Sequence, residues 1–278
     1  MQRTLLGPFL LAAAVLTGGS SLPAATPNII VLLCDNLGYG DIAPFGSKLH
    51  RTPNLEQLAR EGMKLTHLYS ASAWGDSVEE LDWSLGEIMR TLAAEKLDGR
   101  TIVLWTSDNG APERAPVQGS NLPLGGWGYT TAEGGMRVPG IVRWPGKIPA
   151  GTVLAELITL MDLLPTFAHL AGAGLDPQRK IDGHNIWPLL AGESGALSPY
   201  RSFYYYHLDQ LQAVRAGPWK LWLPRSHHRS LGGRMVAAEA PLRLYNVVED
   251  SGEAVDLASA NPEVVRRLTG LAEEARQD

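Results

Sequence analysis

One hydrophobic pattern occurs twice along this chain with the same ending. Ile29–Leu33 is apolar at every position and rich in β-branched residues, then gives way to Asp35-Asn36 and to Gly38 and Gly40. A short continuous apolar run closed by turn residues predicts a strand buried on both faces, as in a parallel sheet. Thr101–Thr106 repeats the pattern and ends in Ser107-Asp108-Asn109-Gly110. Between the two runs the period changes. Thr52-Pro53 opens a helix striped by Leu55, Leu58 and Ala59 and stopped at Gly62, and Met63–Tyr69 reads as a short strand. Val78, Leu81, Leu85, Ile88, Met89 and Leu92 recur at helical spacing inside Ser77–Leu97, with Ser77 and Glu80 set as a capping box. Val138–Trp144 is a third strand candidate, and Glu156–Ala171 an amphipathic helical stretch interrupted by Pro165. From Ser198 onward short strand-like runs (Phe203–Tyr206, Ala213–Arg215, Trp219–Leu223, Leu242–Tyr245) predict a small antiparallel sheet, closed by a helix over Pro262–Arg276. The fold class is therefore α/β: a mostly parallel sheet flanked by helices, plus a small C-terminal antiparallel sheet with a helix.

The two repeated endings carry the candidate chemistry. Open α/β sheets bind ligands beyond the carboxyl ends of their strands. If both runs share one sheet, Asp35, Asn36, Asp108 and Asn109 meet on one rim, where two carboxylates and two amide carbonyls suit a hard cation, Ca²⁺ or Mg²⁺. Each Asp-Asn pair taken alone reads equally well as a turn. Composition narrows the classes: 278 residues, 45% hydrophobic, 19% charged, with a net charge of −5, describe a globular chain without a nucleic-acid surface. Arg3, the apolar run Leu5–Leu16 and the small residues up to Ala24-Ala25 read as a signal peptide over residues 1–25, hence an exported protein. That run is short of the ~20 apolar residues a membrane span needs. Cys34 is the only cysteine, which rules out an internal disulfide.

Leu37-Gly38-Tyr39-Gly40-Asp41 after an acidic pair, Thr106-Ser107-Asp108-Asn109-Gly110, and Glu133-Gly134-Gly135-Met136-Arg137-Val138-Pro139 together resemble the sulfatase family. The resemblance implies an alkaline-phosphatase-like α/β domain with a small C-terminal domain, here residues 26–197 and 198–278. It implies Ca²⁺ ligation by the first two segments, with Asn36 where the family usually has a second Asp. It also implies hydrolysis of sulfate esters on a sulfated small molecule or glycan. The family's nucleophile is a formylglycine made from Cys-x-Pro-x-Arg or Ser-x-Pro-x-Arg. Here the similar lead-in Tyr69-Ser70-Ala71-Ser72-Ala73 runs instead into Trp74-Gly75-Asp76, as though a central block were deleted near residues 73–75. Neither Cys34 nor Ser198 fits the motif, and the Lys that family members place before Glu-Gly-Gly is absent from Gly125–Ala132. The expectation is a sulfatase by ancestry, inactive as written because the nucleophile is missing. Two alternatives stay open: a secreted Ca²⁺-dependent binding or scaffold protein on the same fold, and a hydrolase that uses metal-activated water. Arg137, His184 and the Arg225–Arg229 loop read as structural or solvated, and the scattered tryptophans as core.

Overall fold

The computed structural model describes residues 26–48, 50–69, 78–115, 119–225, 228–229, 235–236 and 240–276. The expected signal peptide, the Ser77 cap and the junction at 73–75 lie outside them. In chain order the elements are β1 (Asn28–Cys34), α1 (Pro53–Glu61), β2 (Met63–Tyr69), α2 (Val78–Ala94), β3 (Thr101–Ser107), α3 (Glu133–Met136), β4 (Arg137–Arg143), β5 (Thr152–Leu154), β6 (Ile158–Thr159), α4 (Leu163–Leu170) and α5 (Trp187–Leu190). They are followed by β7 (Phe203–His207), β8 (Gln210–Ala216), β9 (Trp219–Trp222), β10 (His228–Arg229), β11 (Met235–Val236), β12 (Arg243–Asn246) and α6 (Pro262–Glu274).

The first sheet has the order β1-β3-β4-β2-β5, with β6 also on β2. β1 and β3 pair in parallel from Asn28↔Thr101 to Cys34↔Ser107. β4 is antiparallel to both β3 and β2, while β5 and β6 run parallel to β2. Five strands therefore point one way and β4 the other, a mostly parallel sheet. On β3 the alternation is visible in the packing. Ile102 and Leu104 join Leu65, Leu68 and Val142 beneath α4 and α5, and Val103 and Trp105 join Leu55, Leu58, Leu85 and Leu92 of α1 and α2.

Three sequence expectations need correction. The Ile29–Leu33 run does not form a strand buried on both faces: β1 is an edge strand, with Val31 43% and Leu33 57% exposed. The layer containing α4 reaches β1 only at Ile29, whereas Ile30, Leu32 and Cys34 pack on the opposite side. The stretch Glu156–Ala171 is not one helix. Its first part extends as β6, passes through a 3₁₀ turn at Leu160–Asp162 and becomes helical only from Leu163, which puts Pro165 in the first turn, where its missing N–H costs nothing. The hydroxyl of Thr52 does not cap α1, because it accepts the Ala43 N–H at 3.0 Å. The buried Asp82 of α2 caps α1 instead, accepting the N–H groups of Leu55 at 2.8 Å and Asn54 at 3.2 Å.

The second sheet has the order β12-β9-β8-β7, every pair antiparallel, and α6 covers it with Leu268 and Ala272 against Val214, Leu221 and Leu244. β10 and β11 form a separate two-residue ladder. Tyr69 at the end of β2 packs with Phe203, Tyr205 and Ala213 of β7 and β8, so the two sheets share one aromatic seam.

Candidate functional site

The register of β1 against β3 sets Cys34 beside Ser107, so the residues that follow leave the sheet side by side. All four rim residues named from the sequence come together there. The Asn36 N–H donates to Asp108 Oδ1 at 2.8 Å, as does the Asn109 N–H at 2.8 Å. The Asn36 side-chain amide donates to Asp35 Oδ1 at 3.1 Å, and that of Asn109 to Asn36 Oδ1 at 2.7 Å. Ser107 Oγ locks the base of the rim, accepting the Leu37 N–H at 2.9 Å and donating to the Asn109 carbonyl at 2.9 Å. Asn36 has φ +59°, a left-handed conformation that Asn tolerates better than most residues and that aims its side chain across at Asn109.

Donors and acceptors do not balance here. Asn109 is 1% exposed, and its Oδ1 accepts no hydrogen bond among the described residues. A buried acceptor without a partner costs about 1–3 kcal/mol. Burial pushes the Asp108 carboxyl above its ordinary value, the two backbone N–H groups pull it down, and Asp35 pushes it up again. The neighbouring Cys34 thiol is pushed up to about 12 by burial and by the charges of Asp108 and Asp35, so it stays protonated and inert. Two carboxylates, a half-spent amide oxygen and an orphaned one form an electron-rich pocket that a hard cation would complete. No group of three or more His, Cys, Asp or Glu side chains suited to a metal stands among the described residues, so any such site here rests on the amides as much as on the carboxylates.

Loop 119–132 walls the rim. Asp41 ties the Gly38–Asp41 turn to it, accepting the N–H groups of Gly38 and Ser120 at 2.8 and 2.7 Å. Gly38 needs to be glycine, since a Cβ there would lie 2.1 Å from the Ser120 carbonyl oxygen. Asn121, 3% exposed, accepts the Ala111 N–H at 2.7 Å and donates to the Ala111 carbonyl at 2.9 Å, doing the work of a strand partner. Tyr129, with φ +66°, brings its hydroxyl to the Asn36 side chain and into the field of Asp108 and Arg114.

A second polar centre, not foreseen from the sequence, lies where the two sheets meet. Glu133 is 0% exposed. It accepts the hydroxyls of Tyr69 at 2.6 Å and Tyr205 at 2.9 Å and the Lys220 ammonium at 3.1 Å, with Arg137 at 3.8 Å and Arg215 at 4.0 Å. Arg215 also donates to the Tyr69 hydroxyl. Burial pushes the Glu133 carboxyl up, but Lys220, Arg215 and Arg137 outweigh it and hold the group well below the carboxylate range. Glu253 extends the network, accepting Lys220 at 3.0 Å, the Trp222 indole N–H at 2.6 Å and the Glu133 N–H at 2.7 Å. His67, also at this seam, is held neutral by burial and by Arg137 and Arg215, its pKa down to about 3. Arg137 Nε donates to the Thr66 carbonyl at 2.6 Å and its guanidinium lies over Tyr39. His184 is exposed; its backbone N–H donates to the buried Asp162 at 2.7 Å and its ring lies edge-on to Tyr200. A signal for the hub existed in the sequence, since Arg215 and Lys220 interrupt apolar strands and face each other across β8 and β9, a like-charge pair that needs a buried anion.

The sulfatase family model matches residues 71–173, and the model for the C-terminal part of N-sulphoglucosamine sulphohydrolase matches residues 129–218. Human arylsulfatase H is 34% identical over 235 residues, covering 73% of this chain and 41% of the relative. Mouse steryl-sulfatase is 38% identical over 205 residues, covering 65% of this chain and 33% of the relative. The chain thus spans 41% and 33% of these two curated relatives. The solved PsFucS1 sulfatase from Pseudoalteromonas sp. superposes with a TM-score of 0.77 over 91% of this chain and 90% of that one at 16% identity, a likeness of fold.

Proposed function

Since this chain belongs to the sulfatase family, we propose that it carries the cation-binding half of a sulfuric ester hydrolase site and lacks the nucleophile half. Asp35, Asn36, Asp108 and Asn109 are the ligands in this reading, with Ca²⁺ the first choice and Mg²⁺ the second. The observation that carries it is the buried Asn109 Oδ1, without a hydrogen-bond partner among the described residues, on the rim that also holds the Asp35 and Asp108 carboxylates. A divalent cation held there supplies positive charge that positions and polarises a sulfate oxygen. The chain's own residues do the rest: the N–H groups of Asn36 and Asn109 fix Asp108, and the Asn109 amide fixes Asn36. The formylglycine that opens the family's covalent route has no precursor motif in this sequence, so the chain as written does not complete that route.

The substrate class in this reading is a sulfated small molecule or glycan. Export through residues 1–25 belongs to the same proposal, and no described helix is long and apolar enough to cross a membrane. The test is an assay of p-nitrophenyl sulfate hydrolysis with and without millimolar Ca²⁺. We expect a calcium-dependent rise in melting temperature and no turnover above background. Turnover without formylglycine in the mass spectrum would overturn the inactive assignment in favour of a hydrolase with no covalent intermediate. Metal-dependent retention of a sulfated glycan without turnover would favour the binding-protein alternative.

A further inference from the structure

A cavity of about 280 Å³ lies beside Glu253, between Gly125-Gly126 and the edge of the second sheet. Trp222, Arg225, Arg243, Tyr245, Glu253 and Gly126 line it. The register of β12 on β9 sets Arg243 opposite Trp222 and Tyr245 opposite Lys220, so the wall is built by paired strands. Gly125 closes against the Gly252 carbonyl oxygen, which a Cβ would approach to 2.1 Å, so this side is backbone and fixed in shape.

The charges on this wall are unequal in kind. The Glu253 carboxylate is fully committed: Oε1 accepts Lys220 and Trp222, and Oε2 accepts the Glu133 N–H. Among the described residues the two guanidiniums meet no carboxylate. Arg225 is held in place by neutral partners, with Nη1 donating to Gln212 Oε1 at 2.9 Å and its guanidinium carbon 4.8 Å over the Trp222 ring. Its Nε is buried and finds no acceptor among the described residues. Burial draws its pKa below the ordinary arginine value. Arg243 takes part in no ion pair among the described residues. A guanidinium pre-stacked on an aromatic ring, with a second guanidinium on the same cavity wall, matches the planar fork that carboxylate and sulfate oxygens accept.

We propose that this cavity is an oxyanion-binding site, separate from the Asp35–Asn109 rim, that takes a sulfate or carboxylate group on Arg225 and Arg243. It goes beyond the metal reading and does not depend on it. Trp222 is covered by Arg225 on one face and by Lys220 at 5.2 Å, so the site reads the anion rather than stacking a sugar ring on the indole.

The experiment is calorimetric titration of the full chain with sodium sulfate against sodium chloride at equal ionic strength, then with a sulfated heparin disaccharide. Saturable sulfate binding is expected, weakened at least ten-fold in Arg225→Gln and in Arg243→Gln, and unchanged in Asp108→Asn. Arg243 is exposed on β12, so its variant carries the test if the Arg225 variant fails to fold. A disaccharide that binds more than ten-fold tighter than inorganic sulfate identifies a sulfated sugar as the occupant, and equal affinities identify the free oxyanion. Sulfate behaving as chloride does, affinity unchanged in both arginine variants, or loss of binding in Asp108→Asn would overturn the proposal.

Discussion

The rim and the hub are both buried and charged, yet one is unfinished and the other saturated. At Asp35, Asn36, Asp108 and Asn109, one buried oxygen, Asn109 Oδ1, has no hydrogen-bond partner among the described residues. At Glu133 the carboxylate is met by two phenols, an ammonium and two guanidiniums, drawn from β2, β4, β7, β8 and β9. In our proposal the leftover acceptor marks the place that a cation completes, whereas the matched charges at Glu133 make a clamp. A buried polar group is therefore read for function by its leftover valence, not by its charge.

The sharpest way to break the contrast is to empty the clamp. Glu133→Ala leaves Lys220, Arg215 and Arg137 around a buried site with no counter-ion, and we expect a loss of roughly 3–5 kcal/mol of unfolding free energy in urea titrations. The same substitution should not alter calcium affinity in whatever fraction stays folded.

The clamp also sets an acid limit. His67 is neutral in the fold with its pKa lowered from 6.5 to about 3, so the unfolded chain takes up a proton first as pH falls. Stability should then decline progressively from pH 6.5 toward 3, and Glu133 adds a further decline below its ordinary value of 4.5, because its folded pKa is depressed. Melting curves across this range should show the fall, and His67→Gln should flatten its upper part while leaving the lower part in place.

Completing the rim should have a moderate effect. Calcium at one hundred times its dissociation constant stabilises a fold by about 2.7 kcal/mol, visible as a higher melting temperature. Asn36→Asp, which adds a third carboxylate at a position whose left-handed backbone Asp also tolerates, should tighten calcium and enlarge the shift.

The smallest expected effect concerns the open edge. Val31→Lys on β1 should change unfolding free energy by no more than ~0.5 kcal/mol, because Val31 is already 43% exposed. It should reduce association measured by light scattering, since a charge on an unpaired, apolar edge blocks strand-to-strand pairing. If association is unchanged, β1 is not the surface through which copies meet.

Most of the fold was legible because its signals are local. The two strand-then-Asp-Asn endings, the α1 and α2 stripes and the short strands after Ser198 all depend on neighbours within a few positions. The rim was legible for the same reason: each strand positions its own Asp-Asn pair, and only their pairing in one sheet had to be inferred. What stayed hidden needed distant partners. The capping of α1 by Asp82 joins residues 27 and 28 positions apart, and Tyr205 meets Glu133 across 72. β1 misled for the opposite reason, since its composition suits an interior strand and only the sheet order shows it at an edge. Tyr69 ends β2, which points the same way as β1 and β3, so it stands at the same end of the sheet as the rim.

The account turns on calcium at that rim. The most direct measurement is calorimetric titration of Ca²⁺ into the metal-stripped chain and into Asp108→Asn. One equivalent bound by the chain, with the heat lost in Asp108→Asn while that variant keeps its fold by circular dichroism, is the expected result. No binding at millimolar Ca²⁺ and Mg²⁺, or identical binding by Asp108→Asn, would contradict it.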